Sequence, residues 1–439
     1  MSSLDVTIVA TAIHDLQGSL GTSVVLAGWT ITAYSLGLII TLPFSGRLAD
    51  RVGHRKVFLG SILVFGIASL LCGLAPNIHL LILFRVLQAA GGAGFTPTAT
   101  GIVVDHFGSS RDRFVGLFGS IFPIGSMAGP VLGGVIVEYL SWRDVFFVNV
   151  PLIAVLLPLA IRFLPRDDIP EPGSAPTRRE RWDIRGTVLL STALLLTMAS
   201  LAVVDADSPT SFWLASVLAL IGITGGYLFV RHINSVAAPL IAPRLIYGSG
   251  FGAVNLVNMI YGGGVAAMAA LVPLYATTRY GLGAFQSGTV LVAQSLGAIV
   301  MSLIGTALLR RTGYRFPIYT GALAMALGLV GLSIPTPIDS AYVWLALCTA
   351  VIGLGAGWSS PASRNAGLQL SPRDAGALAA LRTTSRNVGQ IAFISITTIV
   401  ISLAATPTSA HAAAYLAAAA LLMLVSPIIR RVPEQRGAW

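Results

Sequence analysis

The sequence predicts an all-α protein that crosses a membrane many times, and three observations support this prediction. Apolar residues make up 55% of the 439 residues and charged residues only 10%, whereas soluble domains are about a quarter charged. The apolar residues gather in runs of about 20, the length of helix that spans a bilayer. The basic residues concentrate between alternate runs, as expected for loops on one side of a membrane.

Fourteen apolar runs follow one another, and the first of them is short. They are Leu4–Leu16, Val24–Phe44, Val57–Leu74, Leu80–Val103, Phe114–Val137, Val145–Phe163, Ile184–Val204, Phe212–Val230, Phe251–Tyr275, Ser287–Leu309, Phe316–Ile334, Ala341–Pro361, Ala379–Leu403 and His411–Ile429. The first run has 13 residues, about 20 Å of helix, which is less than the hydrocarbon core of about 30 Å. We expect about 14 transmembrane helices with a truncated first helix, or an interfacial half-helix in its place.

The basic residues predict an orientation. With the N-terminus inside, all but three of the 27 basic residues fall in inside segments, and Arg364, Arg382 and Arg386 are counted among those. The exceptions are Arg85, Arg143 and Arg279. The asymmetry predicts that both termini lie in the cytoplasm and that the protein resides in the cytoplasmic membrane.

Other classes of partner are disfavoured by the same composition. The net charge of +10 comes from residues between spans and forms no contiguous patch, so we expect no nucleic acid partner. Cys72 and Cys348 lie in separate apolar runs and indicate neither a disulfide nor a metal site. We therefore expect a lipid bilayer as solvent, no metal and no cofactor.

The spacing of the runs predicts two halves. The stretch Pro165–Asp183, with Pro170, Pro172 and Pro176, is predicted to be a solvated linker. We expect a six-helix bundle over residues 1–164, a linker with two extra helices over 165–250, a second six-helix bundle over 251–430 and a tail over 431–439. Arg51, Gly53 and Arg55 recur as Arg311, Gly313 and Arg315, which favours a parallel repeat with the site between the halves.

The first candidate feature is the short polar segment Gly46–Lys56 between the second and third runs. Its glycines permit tight turns and close helix approach. Asp50 is expected to face a helix N-terminus of the other half, where a negative charge is favoured by about 0.3–1 kcal/mol. Arg51 and Arg55 are expected to pair with carboxylates such as Asp105. We interpret Gly46, Asp50, Arg51, Gly53, Arg55 and Asp105 as a conformational latch; the alternative is a simple positive anchor.

The second feature is a set of polar residues inside the spans. Arg85 and Gln88 are three residues apart and share a helix face. An intramembrane arginine costs at least about 2.5–3.5 kcal/mol, so Arg85 should face the bundle interior unless it reaches the outer surface. Asp5 lies within the first run. Competition between a proton and a substrate cation for its carboxylate would couple their fluxes, unless Asp5 sits idle at the headgroups.

Two further sets of residues complete the candidates. Gly125, Gly129 and Gly133 recur every four residues and line one helix face, with Pro130 and Gly134 beside them; such a face lets helices pack closely or bend. The polar residues that could line a cavity are Trp29, Tyr34, Asn255, Asn258, Tyr261, Gln294, Asn387 and Gln390. Each of these singly is more often a packing residue.

These segments in this order resemble the major facilitator superfamily, and within it the fourteen-span drug:proton antiporters. Gly46–Lys56 is similar to the signature loop of that superfamily, Arg85 with Gln88 to its fourth-span motif, Gly125–Gly134 to the span-five antiporter motif, and Leu4–Val9 to a first-span signature. The resemblance implies a two-bundle fold, a protonation or substrate-cation role for Asp5, and a proton-coupling role for Arg85. Ala10, His14 and Ala89 depart from the family pattern, where Asn, Pro and Gly are usual.

These observations predict a proton-coupled antiporter that exports lipophilic small molecules, such as drugs or antibiotics, by alternating access. The single embedded acid Asp5 favours monovalent cations or neutral compounds. No Gly-x-x-x-x-Gly-Lys sequence is present, so the proton gradient rather than ATP is the expected driving force. The alternatives are an uptake symporter, an intramembrane enzyme and a truncated paralogue without transport; no catalytic motif favours the enzyme. We expect a monomer, since two halves can form the whole pathway.

Overall fold

The computed structural model describes residues 2–22, 24–167, 183–203, 209–236, 239–371, 374–403 and 407–435. Within these ranges every regular element is helical, as expected of a chain whose backbone hydrogen bonds must be satisfied in lipid. The predicted linker prolines Pro170, Pro172 and Pro176 lie outside the described residues.

Nine helices form the N-terminal part of the chain in the described ranges. They are α1 (Ser2–Thr11), α2 (Ile13–Leu20), α3 (Val24–Val52), α4 (His54–Gly73), α5 (Ile78–Gly92), α6 (Phe95–Phe107), α7 (Arg111–Tyr139), α8 (Asp144–Phe147) and α9 (Asn149–Phe163). A break at Ala12 separates α1 from α2, and a break around Ala93 separates α5 from α6. Each of these two pairs is therefore one helical segment with a short interruption.

The remainder of the chain contains α10 (Ile184–Val203), α11 (Pro209–Ile233), α12 (Pro243–Tyr247), α13 (Phe251–Val257), α14 (Gly263–Tyr280), α15 (Ala284–Thr312), α16 (Arg315–Ser333), α17 (Ala341–Leu370), α18 (Ala375–Leu403) and α19 (Pro407–Val425). A π-helical turn, Asn258–Gly262, joins α13 to α14. Such turns are rare and recur at functional sites. Ten helices in the described ranges are long and apolar enough to cross a membrane.

The helices run further than the apolar runs predict, because hydropathy marks the membrane-embedded part of a helix and not its end. The segment Gly46–Lys56, expected to be a loop, is helical on both sides of Gly53. Gly53 has φ 110°, a conformation that favours glycine. The polar turn between α3 and α4 is thus a single residue. We call the end of the bundle where it lies the loop end.

The helix bounds also correct the placement of three arginines. Arg364 lies inside α17, and Arg382 and Arg386 lie inside α18, rather than in an inside loop. The predicted run Ala341–Pro361 ends before Arg364, whereas Arg382 and Arg386 lie near the start of the predicted run Ala379–Leu403 and were counted with the inside loop because of their charge. Arginine is a good helix former, so the helices continue through all three positions. These three side chains therefore enter the bundle instead of leaving it.

The extra helices α10 and α11 pack against each other beside both halves. Leu194 of α10 packs with Leu36 and Ile39 of α3, and Phe229 of α11 belongs to a cluster that includes Leu378 of α18. The contact is fixed by Asp183, which accepts hydrogen bonds from Gly186 N (2.7 Å), His232 Nε2 (2.7 Å) and Leu240 N (2.9 Å). Burial raises the pKa of Asp183, but these hydrogen bonds outweigh it and lower the pKa below its usual value.

The sequence repeat corresponds to a repeated structure. Gly53 (φ 110°) precedes α4, and Gly313 (φ 72°) precedes α16. Arg55 Nη2 donates to Ile161 O in α9 (2.9 Å), and Arg315 Nε donates to Val432 O after α19 (2.8 Å). Each arginine thus ties the start of its helix to the end of the last helix of the same half.

Each half also carries a carboxylate at the start of that helix. Asp167 accepts hydrogen bonds from the backbone N–H groups of Arg55 (2.8 Å) and Lys56 (3.2 Å). Glu434 accepts those of Tyr314 (2.9 Å) and Arg315 (3.2 Å). A carboxylate is favoured at a helix N-terminus. The two halves are therefore stabilised by the same device.

Candidate functional site

Asp5 and Arg85 form an ion pair in the interior of the N-terminal half. Arg85 Nη1 donates to Asp5 Oδ2 at 2.6 Å, and the two side chains are 1% and 0% exposed. Arg85 Nε donates to the carbonyl of Thr30 at 3.1 Å. The guanidinium lies over the ring of Tyr34, 4.2 Å from its centroid. Arg85 thus faces the bundle interior and does not reach a surface.

Two amides complete the coordination of Asp5. Gln88 Nε2 donates to Asp5 Oδ1 at 2.9 Å, and Asn149 Nδ2 donates to the same oxygen at 3.0 Å. Gln88 also accepts from Arg85 Nη1 at 2.5 Å and donates to Ser69 Oγ at 2.7 Å. The network joins α1, α4, α5 and α9 through one carboxylate. Removing one partner of such a buried pair costs about 3–5 kcal/mol.

Asn149 was not predicted from the sequence, because a lone asparagine at the start of an apolar helix carries no periodic signal. Thr30 and Ser69 were also not predicted, because single hydroxyl residues are common inside apolar helices. The i, i+3 spacing of Arg85 and Gln88 does bring them together, and both meet Asp5 across the bundle.

The glycine-rich face of α7 packs against α1, the helix that carries Asp5. A methyl group added at Gly125, Gly129 or Gly133 would overlap Ser3, Thr7 or Thr11, respectively. Thr7 and Thr11 turn their hydroxyls back to their own helix, to Ser3 O (3.0 Å) and Ile8 O (2.7 Å). Gly134 is different because it faces open space. The side chain of Pro130 is outside the described part of the chain, and α7 continues through its position.

At the loop end, Asp50 contacts the opposite half. Its Oδ2 accepts a hydrogen bond from Ala377 N in the first turn of α18, at 3.2 Å. Beside it, a methyl group added at Gly46 would overlap Ala380 and the carbonyl of Gly376. Gly46 therefore lets the two halves approach closely here, and Asp50 faces the N-terminus of α18.

The expected pairing of Asp105 with arginine is wrong. Among the described residues, neither Arg51 nor Arg55 forms an ion pair with Asp105; His54 lies there instead, with Nδ1 2.7 Å from Asp105 Oδ2 and Nε2 3.2 Å from Asp50 Oδ1. The reason is geometric: His54 begins α4 and its ring packs on Gly101 of α6, while Arg55 points toward α9.

A second contact between the halves involves Asp112, which was not predicted. Its carbonyl accepts from Asn365 Nδ2 of α17 at 3.0 Å, and its Oδ2 lies 3.5 Å from Gln369 Nε2. Asp112 begins α7 as Asp50 ends α3. The loop end is therefore held by one acidic residue of the N-terminal half against α17 and one against α18.

A cavity of about 1350 Å³ lies between the two halves, and pockets that hold drug-sized ligands are about 300–1000 Å³. Its lining extends from Arg364 and Arg382, near the loop end, to Ile31 and Gly288, close to the other end of α3 and α15. Most lining residues are apolar, among them Phe95, Phe118, Met127, Leu291 and Met325. This arrangement suits a large apolar molecule.

Six of the eight predicted cavity residues line this space: Tyr34, Asn258, Tyr261, Gln294, Asn387 and Gln390. Trp29 packs instead against the cluster of Leu36 and Ile39, next to α10. Asn255 donates to the carbonyls of Leu245 (2.8 Å) and Ile246 (3.0 Å) and lines a small adjoining cavity. Neither Asp5 nor Arg85 lines the large cavity, although Ser3, Thr7 and Tyr34 beside them do.

Among the described residues, the charged side chains that line the cavity belong to the C-terminal half. Arg364, Arg382 and Arg386 all line it, each partly buried. Arg382 and Arg386 are one helical turn apart and share a face of α18. Each intramembrane arginine costs about 2.5–3.5 kcal/mol. Sequence reasoning missed them because it treated them as loop residues.

Comparison with known proteins agrees with this architecture. Residues 1–394 match the Major Facilitator Superfamily. The chain is 28% identical to Multidrug resistance protein 3 of Bacillus subtilis (strain 168), over 90% of this chain and 76% of that protein. It is 34% identical to Cephamycin export protein CmcT of Amycolatopsis lactamdurans, over 88% and 79%. Among solved structures, the proton:xylose symporter XylE superimposes on this chain with a TM-score of 0.67 and 13% sequence identity. The superposition covers 99% of this chain and 93% of the symporter chain.

The chain belongs to the Major Facilitator Superfamily. It is a multi-pass membrane transporter and not an enzyme. The two relatives are named for multidrug resistance and for cephamycin export.

Proposed function

We propose that the protein is a proton-coupled antiporter that exports lipophilic small molecules, including drugs or antibiotics, across the cytoplasmic membrane. The observation that carries the proposal is a large apolar cavity between the halves, next to a buried carboxylate–guanidinium pair. Relatives named for multidrug resistance and cephamycin export support export over uptake. We propose a monomer with about fourteen spans, both termini in the cytoplasm and the loop end facing the cytoplasm.

The buried pair supplies a coupling step. When Asp5 is ionised it neutralises Arg85 and holds α1 against α5 and α9. Protonation of Asp5 would leave Arg85 uncompensated in a dry interior, a state that costs several kcal/mol. The bundle would then relax to an arrangement in which Arg85 is hydrated. In the proposed cycle, uptake of a proton at Asp5 from outside therefore weakens the conformer that is closed at the loop end.

The movement of α1 would be transmitted through α7. Gly125, Gly129 and Gly133 hold α7 directly on α1, and Asp112 at the start of α7 contacts α17 of the other half. The loop-end contacts at Asp112 and Asp50 would open when α7 and α3 shift. One proton that crosses 100 mV gains about 2.3 kcal/mol, enough for roughly a 50-fold gradient of a neutral compound.

Everted membrane vesicles test this function. A pH gradient is set up and followed with a pH-sensitive dye while lipophilic cations, anions and neutral drugs are added in turn. We expect a substrate to dissipate the gradient in the wild type, and the effect to disappear in Asp5→Asn. Asp339→Asn, at an exposed loop position, is the matched control and should behave as the wild type.

Two outcomes would contradict the proposal. If no compound of any charge dissipates the gradient although the protein is folded in the vesicles, proton-coupled export is wrong. If Asp5→Asn transports protons and substrate as well as Asp339→Asn does, Asp5 is not the coupling residue.

A further inference from the structure

The charge of the cavity wall is the feature that the proposed function leaves unexplained. Among the described residues that line the cavity, three are arginines and none is acidic. A transporter of cations would be expected to offer a carboxylate or to keep its cavity neutral. Asp5, the acid expected to meet a substrate cation, lies behind the cavity wall in contact with Arg85.

The three guanidinium groups are close enough to repel one another. Arg364 and Arg382 line the same small adjoining cavity, and Arg386 lies one helical turn from Arg382 on the same face of α18. Like charges held together in a low-dielectric site are unfavourable. In a membrane interior such an arrangement marks a functional site by default, because a structural role would be served as well by neutral residues.

Neutral oxygens lie close to two of these arginines. Arg364 Nε lies 3.3 Å from Ser360 Oγ, and Arg386 Nη2 lies 3.4 Å from Asn387 Oδ1. Neither Arg364 nor Arg382 has a carboxylate within salt-bridge distance in the described part of the chain. Arg382 Nε is buried and has no hydrogen-bond acceptor among those residues. The arginines of the C-terminal half therefore present N–H donors to the cavity, and among the described residues at least one of them, Arg382 Nε, has no acceptor.

We propose that Arg364, Arg382 and Arg386 bind the acidic group of an amphiphilic organic anion whose apolar body fills the rest of the cavity. This inference rests on the proposed export function and specifies its substrate class. A carboxylate or sulfonate would accept from the planar guanidinium forks and would offset their mutual repulsion. The apolar body would lie against Phe95, Phe118 and Leu291.

The other charge classes fit this wall less well. A lipophilic cation would add a fourth positive charge near Arg382 and would be repelled. A neutral compound would leave the buried Nε of Arg382 without an acceptor, at the cost of an unsatisfied donor. The substrate that the residues favour is thus the opposite of the monovalent cation expected from Asp5.

Two xanthene dyes of nearly equal shape and opposite charge test the inference: fluorescein, an anion at pH 7.5, and rhodamine 123, a cation. Fluorescence anisotropy measures their binding to the purified full chain in phosphatidylcholine nanodiscs. We expect the wild type to bind fluorescein at least about tenfold more tightly than rhodamine 123. Arg382→Gln and Arg364→Gln should each weaken fluorescein binding about tenfold, equivalent to 1.4 kcal/mol, without weakening rhodamine 123 binding.

Two further variants separate charge from folding. Arg382→Lys keeps the positive charge but loses the planar fork, so it should bind fluorescein between the wild type and Arg382→Gln. Arg162→Gln removes an exposed arginine at the end of α9 and should leave binding unchanged. Equal binding of the two dyes, a preference for rhodamine 123, or unchanged fluorescein binding in both Gln variants would overturn the inference.

The binding result and the vesicle result fail independently. Selective fluorescein binding that depends on Arg382, in a protein that shows no proton-coupled flux, would contradict the proposed function and keep the anion site. Proton-coupled flux of rhodamine 123, without selective fluorescein binding, would keep the function and contradict the anion site.

Discussion

Arg85 and Arg382 both lie within membrane helices, one in each half, but their surroundings differ. Arg85 is fully buried and neutralised by Asp5, with Gln88 and Asn149 around the pair. Arg382 faces the cavity beside two other arginines. We propose a division of labour in which the N-terminal half binds the proton and the arginines of the C-terminal half bind the acidic group of the substrate. The halves otherwise share their framework, as Gly53 and Gly313 show.

The largest effect is expected from breaking the pair in the N-terminal half. Asp5→Asn keeps the shape but leaves Arg85 without its counter-ion, a loss of about 3–5 kcal/mol, enough to invert a two-state equilibrium. We expect the loop end to open. Spin labels at Val52 and Phe316, both exposed at that end, would report a longer distance, measured by pulsed electron resonance after replacement of Cys72 and Cys348.

Arg382→Gln provides the matched comparison in the C-terminal half. It has no carboxylate partner to leave unpaired within the described residues, so the label distance should stay that of the wild type. A loop end that opens equally in both variants, or in neither, would remove the distinction between the two halves.

A smaller effect is expected where α7 packs on α1. Gly129→Ala places a methyl group into Thr7, and overpacking of this kind costs about 1–3 kcal/mol. Gly134→Ala adds the same methyl group in open space and gains helix propensity. We expect Gly129→Ala to lower the thermal unfolding temperature in detergent and Gly134→Ala to leave it unchanged or raise it; the reverse order would show that α1 does not pack as described.

The extra helix pair offers a contact that belongs to neither half. Asp183→Asn weakens charge-assisted hydrogen bonds to His232 and Leu240, worth about 1–3 kcal/mol. We expect faster amide hydrogen exchange at Leu240 in the variant. Because the pKa of Asp183 is lowered in the folded state, this stabilisation is present above the ordinary carboxyl pKa and is lost only as the pH falls through the lowered value. A difference in exchange between wild type and variant should therefore persist from pH 8 down to pH 6, and a difference that vanishes at pH 6 would contradict the assignment.

The smallest effect concerns Asp50 at the loop end. Asp50→Asn weakens the contact of this residue with the N-terminus of α18, and a charge at such a position contributes about 0.3–1 kcal/mol. The effect should be small because the contact of Asp112 with α17 remains. The label pair at Val52 and Phe316 should show a modest increase in the population of the longer distance, less than in Asp5→Asn. A larger opening than in Asp5→Asn would make Asp50 the principal determinant of closure.

Some features of the molecule follow directly from residue type and spacing in the sequence. The apolar runs locate most of the helices, and the spacing of Arg85 and Gln88 places both side chains on one face of a helix. The glycine spacing on α7 predicts a close packing face. These inferences needed only composition and helical geometry.

The remainder depended on tertiary structure. Arg364, Arg382 and Arg386 were counted with the inside loops because charged residues are usual there, whereas α17 and α18 place them beside the cavity between the halves. His54 replaced Arg55 as the partner of Asp105 because the turn at Gly53 sets which side chain faces α6. Asn149 and the π-helical turn at Asn258–Gly262 have no local signal, since both are defined by the helices that pack on them.

The division of labour is tested most directly by two modes of transport in one preparation of proteoliposomes. Fluorescein exchange at equal pH requires binding and alternation but no net proton movement, while fluorescein accumulation against a gradient requires proton coupling. We expect Asp5→Asn to retain exchange and lose proton-driven accumulation, and Arg382→Gln to lose both. If Asp5→Asn loses exchange as completely as Arg382→Gln, or if Arg382→Gln retains both modes, proton and substrate are not handled by separate halves.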